Sequence, residues 1–113
     1  MEMEELGANA SRACNLLRSM ANESRLMILC QLAEKEMSVS ELLENIPLSQ
    51  SALSQHLSTL RRESIVTTRR QAQSIRYSLV SEEARVLISA LYELYCGNPD
   101  EEACGMVSEA AYI

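Results

Sequence analysis

Two groups of side chains could do chemistry. The first is four cysteines, at positions 14, 30, 96 and 104. A thiolate is a nucleophile, a redox centre and a soft-metal ligand. No CxxC or CxC pair is present, which excludes a zinc ribbon or a thioredoxin-like motif. The second group is polar: Gln50, Ser51, Ser54, Gln55 and Ser58, then Arg61 and Arg62, then Arg69, Arg70, Gln71 and Gln73. A glutamine amide can donate to and accept from adenine, and a serine hydroxyl can bond a base edge or a phosphate. Arginines away from base edges hold phosphate, which gives affinity and register but carries no sequence information. His56 is the sole histidine and cannot build a metal site alone.

The charge follows the second group. The chain has 113 residues and a net charge of −6, which alone argues against nucleic acid. The average conceals three unlike segments. Residues 1–46 set four basic residues against eight glutamates, net −4. Residues 47–80 set five arginines against Glu63, net +4. Residues 81–113 set Arg85 against seven acids, net −6. A basic island between acidic flanks is the pattern of a small reading surface on an acidic body.

The elements that must position these residues follow from periodicity. Leu6, Ala10, Ala13, Leu16, Leu17 and Met20 predict a helix over about 6–20. Asn22 can cap a second helix through Leu26, Ile28, Leu29 and Leu32. Ser38-Val39-Ser40-Glu41 is a capping box for a short third helix that Pro47 stops. Ser49 caps a fourth, with Leu53, Leu57 and Leu60 as its buried stripe. Ile65–Arg69 and Ile75–Leu79 then read as paired strands. Ile75, Tyr77 and Leu79 form their buried face, and residues 70–74 form a tip without glycine. Ser81-Glu82-Glu83 opens a last helix with the stripe Ala84, Leu87, Ile88, Leu91, Leu94 and Tyr95, ended by Gly97-Asn98-Pro99.

The expected fold is mainly α with a small β-hairpin, in the order ααααββα. That is a winged helix-turn-helix over residues 1–99, with a flexible tail over 100–113. The fourth helix is the expected recognition helix, entering a major groove with Gln50, Ser51, Ser54, Gln55 and Ser58. Three exposed serines weaken a helix for no local gain, which favours a binding face over an ordinary surface. Arg61, Arg62, Arg69 and Arg70 suit phosphates, and Arg70, Gln71 or Gln73 at the wing tip could enter a minor groove. The longest apolar run, Leu26-Met27-Ile28-Leu29-Cys30, is far short of a membrane span, and the start of the chain is acidic. A cytoplasmic protein with reduced thiols and no membrane partner is the expectation.

Ala21-Asn22-Glu23-Ser24-Arg25-Leu26-Met27-Ile28-Leu29-Cys30, Leu48-Ser49-Gln50-Ser51-Ala52-Leu53-Ser54-Gln55-His56-Leu57 and Arg76-Tyr77-Ser78-Leu79 resemble the ArsR/SmtB family of winged-helix transcriptional regulators. The likeness spans roughly residues 8–97 and is nearest the HlyU/BigR/SqrR-type branch, which senses reactive sulfur or oxidants. It implies a homodimer built by the first and last helices, bound to double-stranded operator DNA. It also implies that Cys30 and Cys96 are a redox-sensing pair. Thiols several ångströms apart need backbone movement to close a disulfide, whereas added sulfur atoms could span a longer gap. Either bridge would release DNA by disfavouring the bound geometry. The third helix lacks the cysteines and the last helix the histidines of the family's metal sensors, so neither a metal site nor a cofactor is expected. At Glu63-Ser64-Ile65 relatives usually carry glycine, so the turn is either strained at Ser64 or different.

Burial is the ordinary fate of a cysteine in an apolar run such as that around Cys30, and Cys14 reads as structural. Cys104 could be incidental, or a third thiolate in an arsenic- or soft-metal-responsive repressor. A thiol enzyme is disfavoured because neither Cys30 nor Cys96 has an accompanying acid, base or second histidine. A protein-interaction module without a nucleic-acid role is the remaining alternative.

Overall fold

The computed structural model describes residues 3–96. Its elements are α1 (Met3–Met20), α2 (Glu23–Glu34), β1 (Met37–Ser38), α3 (Val39–Asn45), α4 (Gln50–Arg62), β2 (Val66–Gln71), β3 (Ser74–Leu79) and α5 (Glu82–Tyr95). They form two compact units, one ending at Ser81 and one beginning at Glu82. The expected tail, the Gly97-Asn98-Pro99 stop and Cys104 lie outside the described residues. Among the described residues no helix is long and apolar enough to cross a membrane.

Local chemistry sets the helix starts. The Asn22 side chain accepts the Arg25 backbone N–H at 3.0 Å from an extended backbone and opens α2. The capping box of α3 is complete: Glu41 N–H donates to Ser38 Oγ at 3.2 Å and Ser38 N–H to Glu41 Oε1 at 2.9 Å. Ser49 Oγ accepts from Ala52 N–H at 3.1 Å and opens α4.

The end of α4 is a Schellman motif. Ile65 N–H donates to Leu60 C=O at 2.9 Å and Ser64 N–H to Arg61 C=O at 3.0 Å. Ile65 and Leu60 are both buried, which supplies the apolar contact of that motif. Ser64 holds the left-handed position with φ 63°, where a Cβ is strained. The turn is therefore the ordinary one for glycine, made here with serine.

Within the first unit, α2 packs against α1, α4 and β3, and α3 packs against α4. Ile28, Leu29, Leu32, Leu42, Leu53, Leu57 and Leu60 are fully buried there. The α3–turn–α4 arrangement followed by a hairpin is the expected winged helix-turn-helix. The sheet has a strand that periodicity did not show: β1 pairs antiparallel with β3, and the order is β1-β3-β2. Two residues carry no readable period, and Ser38 reads first as a cap.

The hairpin differs in two further ways. Its tip is only Ala72-Gln73, because Arg70 pairs with Ile75 and Gln71 with Ser74 inside the ladder. Ala72 alone of the two tip residues has a positive φ, 58°, the pattern of a II′ turn. The expected buried face holds only at its inner end. Leu79 is buried and Tyr77 partly so, but Ile75 is 42% exposed. The cause is length: β1 backs β3 only at Arg76 and Tyr77, so the outer hairpin projects as a wing.

In the second unit, Ala84 and Ile88 of α5 are buried. Val86, Tyr92, Leu94 and Tyr95 are exposed, as are Met3, Leu6 and Leu17 on α1.

Candidate nucleic-acid interface and thiols

Helix α4 buries Leu53, Leu57 and Leu60 and thereby turns Gln50, Ser51, Ser54, Gln55, Ser58, Arg61 and Arg62 to solvent. A shallow depression of about 430 Å³ on this face is lined by Ser54, Gln55, Ser58, Thr59 and Arg62. Amides and hydroxyls there can donate and accept, and the arginines close the last helical turn. His56 is half-buried, and its Nδ1 lies 3.5 Å from Arg25 Nη1. The guanidinium can only donate, so any hydrogen bond between them has Nδ1 accepting. Arg25 Nε also donates to the Ser19 carbonyl at 2.6 Å. One α2 side chain thus reaches both the end of α1 and the middle of α4.

On the wing, Arg69, Arg70, Gln71 and Gln73 are exposed, but their surroundings differ. Arg69 Nε donates to both carboxylate oxygens of Glu36, at 3.0 and 3.1 Å, and its Nη2 donates to Glu36 Oε1. Glu36 lies in the loop between α2 and β1. The Arg69 hydrogen bonds hold its carboxyl below the usual carboxylate range, and the charges of Arg69 and Arg76 add to this. The same hydrogen bonds raise Arg69 above its ordinary value.

Arg76, directly across the ladder from Arg69, completes the cluster. Its Nη2 donates to the Glu36 carbonyl at 3.2 Å, its Nε lies 3.7 Å from Glu36 Oε1, and its Nη1 lies 3.2 Å from Glu41 Oε1. Glu41 is also held low, first by the Ser38 backbone N–H and then by Arg76 and Lys35. Sequence reasoning missed Glu36, Glu41 and Arg76 as parts of this surface. A two-residue tip would have shown that Arg76 faces Arg69, though not which acids lie against the pair. Like charges directly across a ladder call for a counter-ion.

Cys30 is exposed on α2 although its neighbours Ile28 and Leu29 are buried. The helix turns Met27 and Cys30, three apart, to the outside together. Cys96 is exposed one residue past α5, its backbone N–H donating to the Tyr92 carbonyl at 2.7 Å. Cys14, expected to be structural, is exposed on α1.

The chain is similar to known regulators. Residues 22–68 match the family described as bacterial regulatory protein, arsR family. The transcriptional activator HlyU of Vibrio cholerae serotype O1 is 50% identical over 96 residues, covering 85% of this chain and 89% of that protein. The biofilm growth-associated repressor of Xylella fastidiosa (strain Temecula1) is 41% identical, covering 85% of this chain and 84% of that protein. The solved structure of reduced HlyU from Vibrio cholerae N16961 superposes with a TM-score of 0.78 at 50% identity, covering 83% of this chain and 99% of that one.

Proposed function

The chain is a transcriptional regulator of the ArsR family, and on that premise we propose that it acts as a homodimer that binds operator DNA when reduced and leaves it when Cys30 and Cys96 are bridged. The observation that carries the DNA reading is the sidedness of α4. Its leucines are buried, and Gln50, Ser51, Ser54, Gln55 and Ser58 are exposed on the other face. In this reading those five reach the major groove, Arg61, Arg62 and Arg70 hold phosphates while Arg69, expected beside them, is engaged by Glu36, and Gln71 and Gln73 lie along the minor groove.

The exposed apolar residues of α1 and α5 support a dimer interface on those two helices. A two-fold dimer places two α4 helices on half-sites about one helical turn apart. The protein acts in the cytoplasm and binds rather than catalyses. Relatives named as an activator and as a repressor fit one mode of action, since the outcome of operator binding depends on what else the site controls.

Exposure of both thiols supports the switch, because an oxidant can reach them. Peroxide would take two electrons and two thiol protons and leave as water. One sulfane sulfur would insert between the two cysteine sulfurs, while a second, taking the two electrons and two thiol protons, would leave as hydrogen sulfide.

The test is a mobility shift on a duplex selected by the reduced protein from a random-sequence pool. It is repeated after persulfide, peroxide and arsenite, with intact mass recorded for each. Release by persulfide or peroxide, with a mass showing a bridge between the two cysteines, is the expected result. Cys30→Ser should bind and ignore both reagents. Release of the serine variant would place the switch elsewhere, and release by arsenite alone would favour a three-thiolate site.

A further inference from the structure

The wing carries two more arginines than it can offer to a ligand. Arg69 and Arg76 face each other across the ladder, and the carboxylates of Glu36 and Glu41 lie against them. Four charges therefore cancel within one cluster. Two of them, Glu36 and Glu41, come from outside the segment whose charge suggested a nucleic-acid surface. Arg61, Arg62 and Arg70 have no carboxylate within ion-pair distance among the described residues.

We infer that Glu36 is a built-in counter-ion that withholds Arg69 from nucleic-acid phosphate and thereby limits sequence-independent binding by the wing. This rests on the reading of α4 and the wing as a DNA surface. Arg69 is 56% exposed, so access does not keep a phosphate away. Competition does. Glu36 accepts from Arg69 Nε at Oε2 and from Nη2 at Oε1, the fork geometry that a phosphate would use. Its backbone is pinned by Arg76 through the Glu36 carbonyl, and Arg76 is in turn fixed by Glu41 at the start of α3. A phosphate would have to displace a partner that is already in place and cannot diffuse away. Contacts to phosphate add affinity for every sequence equally, so removing one raises the share of binding that depends on bases. Glu36 also ties the wing to the loop before β1, which sets the wing against the helix-turn-helix.

The test is the salt dependence of binding to a fluorescently labelled duplex of arbitrary sequence, with thermal melts to confirm folding. Arg69→Ala should leave the slope of log K against log salt at the wild-type value. Glu36→Gln, which keeps the shape and removes the charge, should bind more tightly at low salt and steepen the slope by about 0.9 per protomer. The double variant should return to the wild-type slope. A flatter slope for Arg69→Ala alone would overturn the inference, because Arg69 would then already hold a phosphate. So would an unchanged slope for folded Glu36→Gln. If Glu36→Gln does not fold, the Arg69→Ala slope decides alone. A wild-type protein that binds no duplex, selected or arbitrary, would instead defeat the DNA reading, and this inference would fall with it.

Discussion

Ser64 is the sharpest place to test the local physics of the α4–wing junction. Its φ of 63° puts a Cβ in the left-handed region while its N–H and that of Ile65 close the Schellman motif. A residue with a Cβ pays about 1–2 kcal/mol there. Glycine escapes that strain but loses roughly 0.5–1 kcal/mol more backbone entropy on folding. The expected net gain for Ser64→Gly is about 0.5–1 kcal/mol, or roughly 2–8 °C in Tm for a domain of this size. Ser64→Val should move the other way, because a β-branched side chain fits the left-handed region worse still. The assay is thermal unfolding followed by circular dichroism at one fixed protomer concentration, since association raises apparent stability. Serine lying outside the strained region is the only way for glycine to leave Tm unchanged while valine is tolerated. That pair of results would refute the reasoning. Because Ser64 makes no contact assigned to DNA, Ser64→Gly should also keep the wild-type mobility shift.

Other outcomes follow from burial and charge. Leu57→Ala removes a fully buried side chain from α4 and should cost about 2–5 kcal/mol, read as a lower midpoint in urea. Gln55→Ala should cut discrimination between the selected duplex and its single-base variants by roughly 1–3 kcal/mol if the amide pairs with a base. Arg61→Ala should weaken binding to all duplexes and flatten the salt slope by about 0.9, and an unchanged slope would remove it from the phosphate contacts. Glu36 and Glu41 are held below their ordinary range by the Arg69 hydrogen bonds and the Ser38 N–H respectively. Their contribution to stability is therefore full above the unfolded value of about 4.3 and is lost as pH falls through the lower folded values. Carboxyl titration by NMR should find both midpoints below that of an unstructured glutamate.

The legible parts of the fold were those written within a few residues. Asn22, Ser38 with Glu41, and Ser49 each start a helix where a cap was expected, because a cap and its acceptor lie within one turn. The sidedness of α4 was legible for the same reason. What escaped depended on distant partners. Arg69 meets Glu36 across 33 positions, and nothing local marks that acid as its counter-ion. β1 exists because β3 is beside it, not because Met37-Ser38 favours extension. The tip was drawn too long because alanine is a poor choice for a positive φ, and Ala72 takes one regardless. Cys30 showed the limit of reading apolar runs without phase. A helix buries one side of such a run, and this residue falls on the other.

Among the described residues, the strand order β1-β3-β2 puts β1 and β2 at the edges of the sheet. On one side, β1 is only two residues long and too short to template another chain. On the other, β2 runs six residues, and an edge strand of that length can invite pairing between molecules. Arg70, exposed toward the outer end of β2, carries a charge with no carboxylate within ion-pair distance among the described residues, and charge on an edge strand is how natural sheets deter such pairing. By this principle the same charge that suits a phosphate also discourages hairpin-to-hairpin pairing of separate molecules. Arg70→Ala should therefore raise the tendency to self-associate on concentration, read by light scattering, whatever becomes of its grip on DNA.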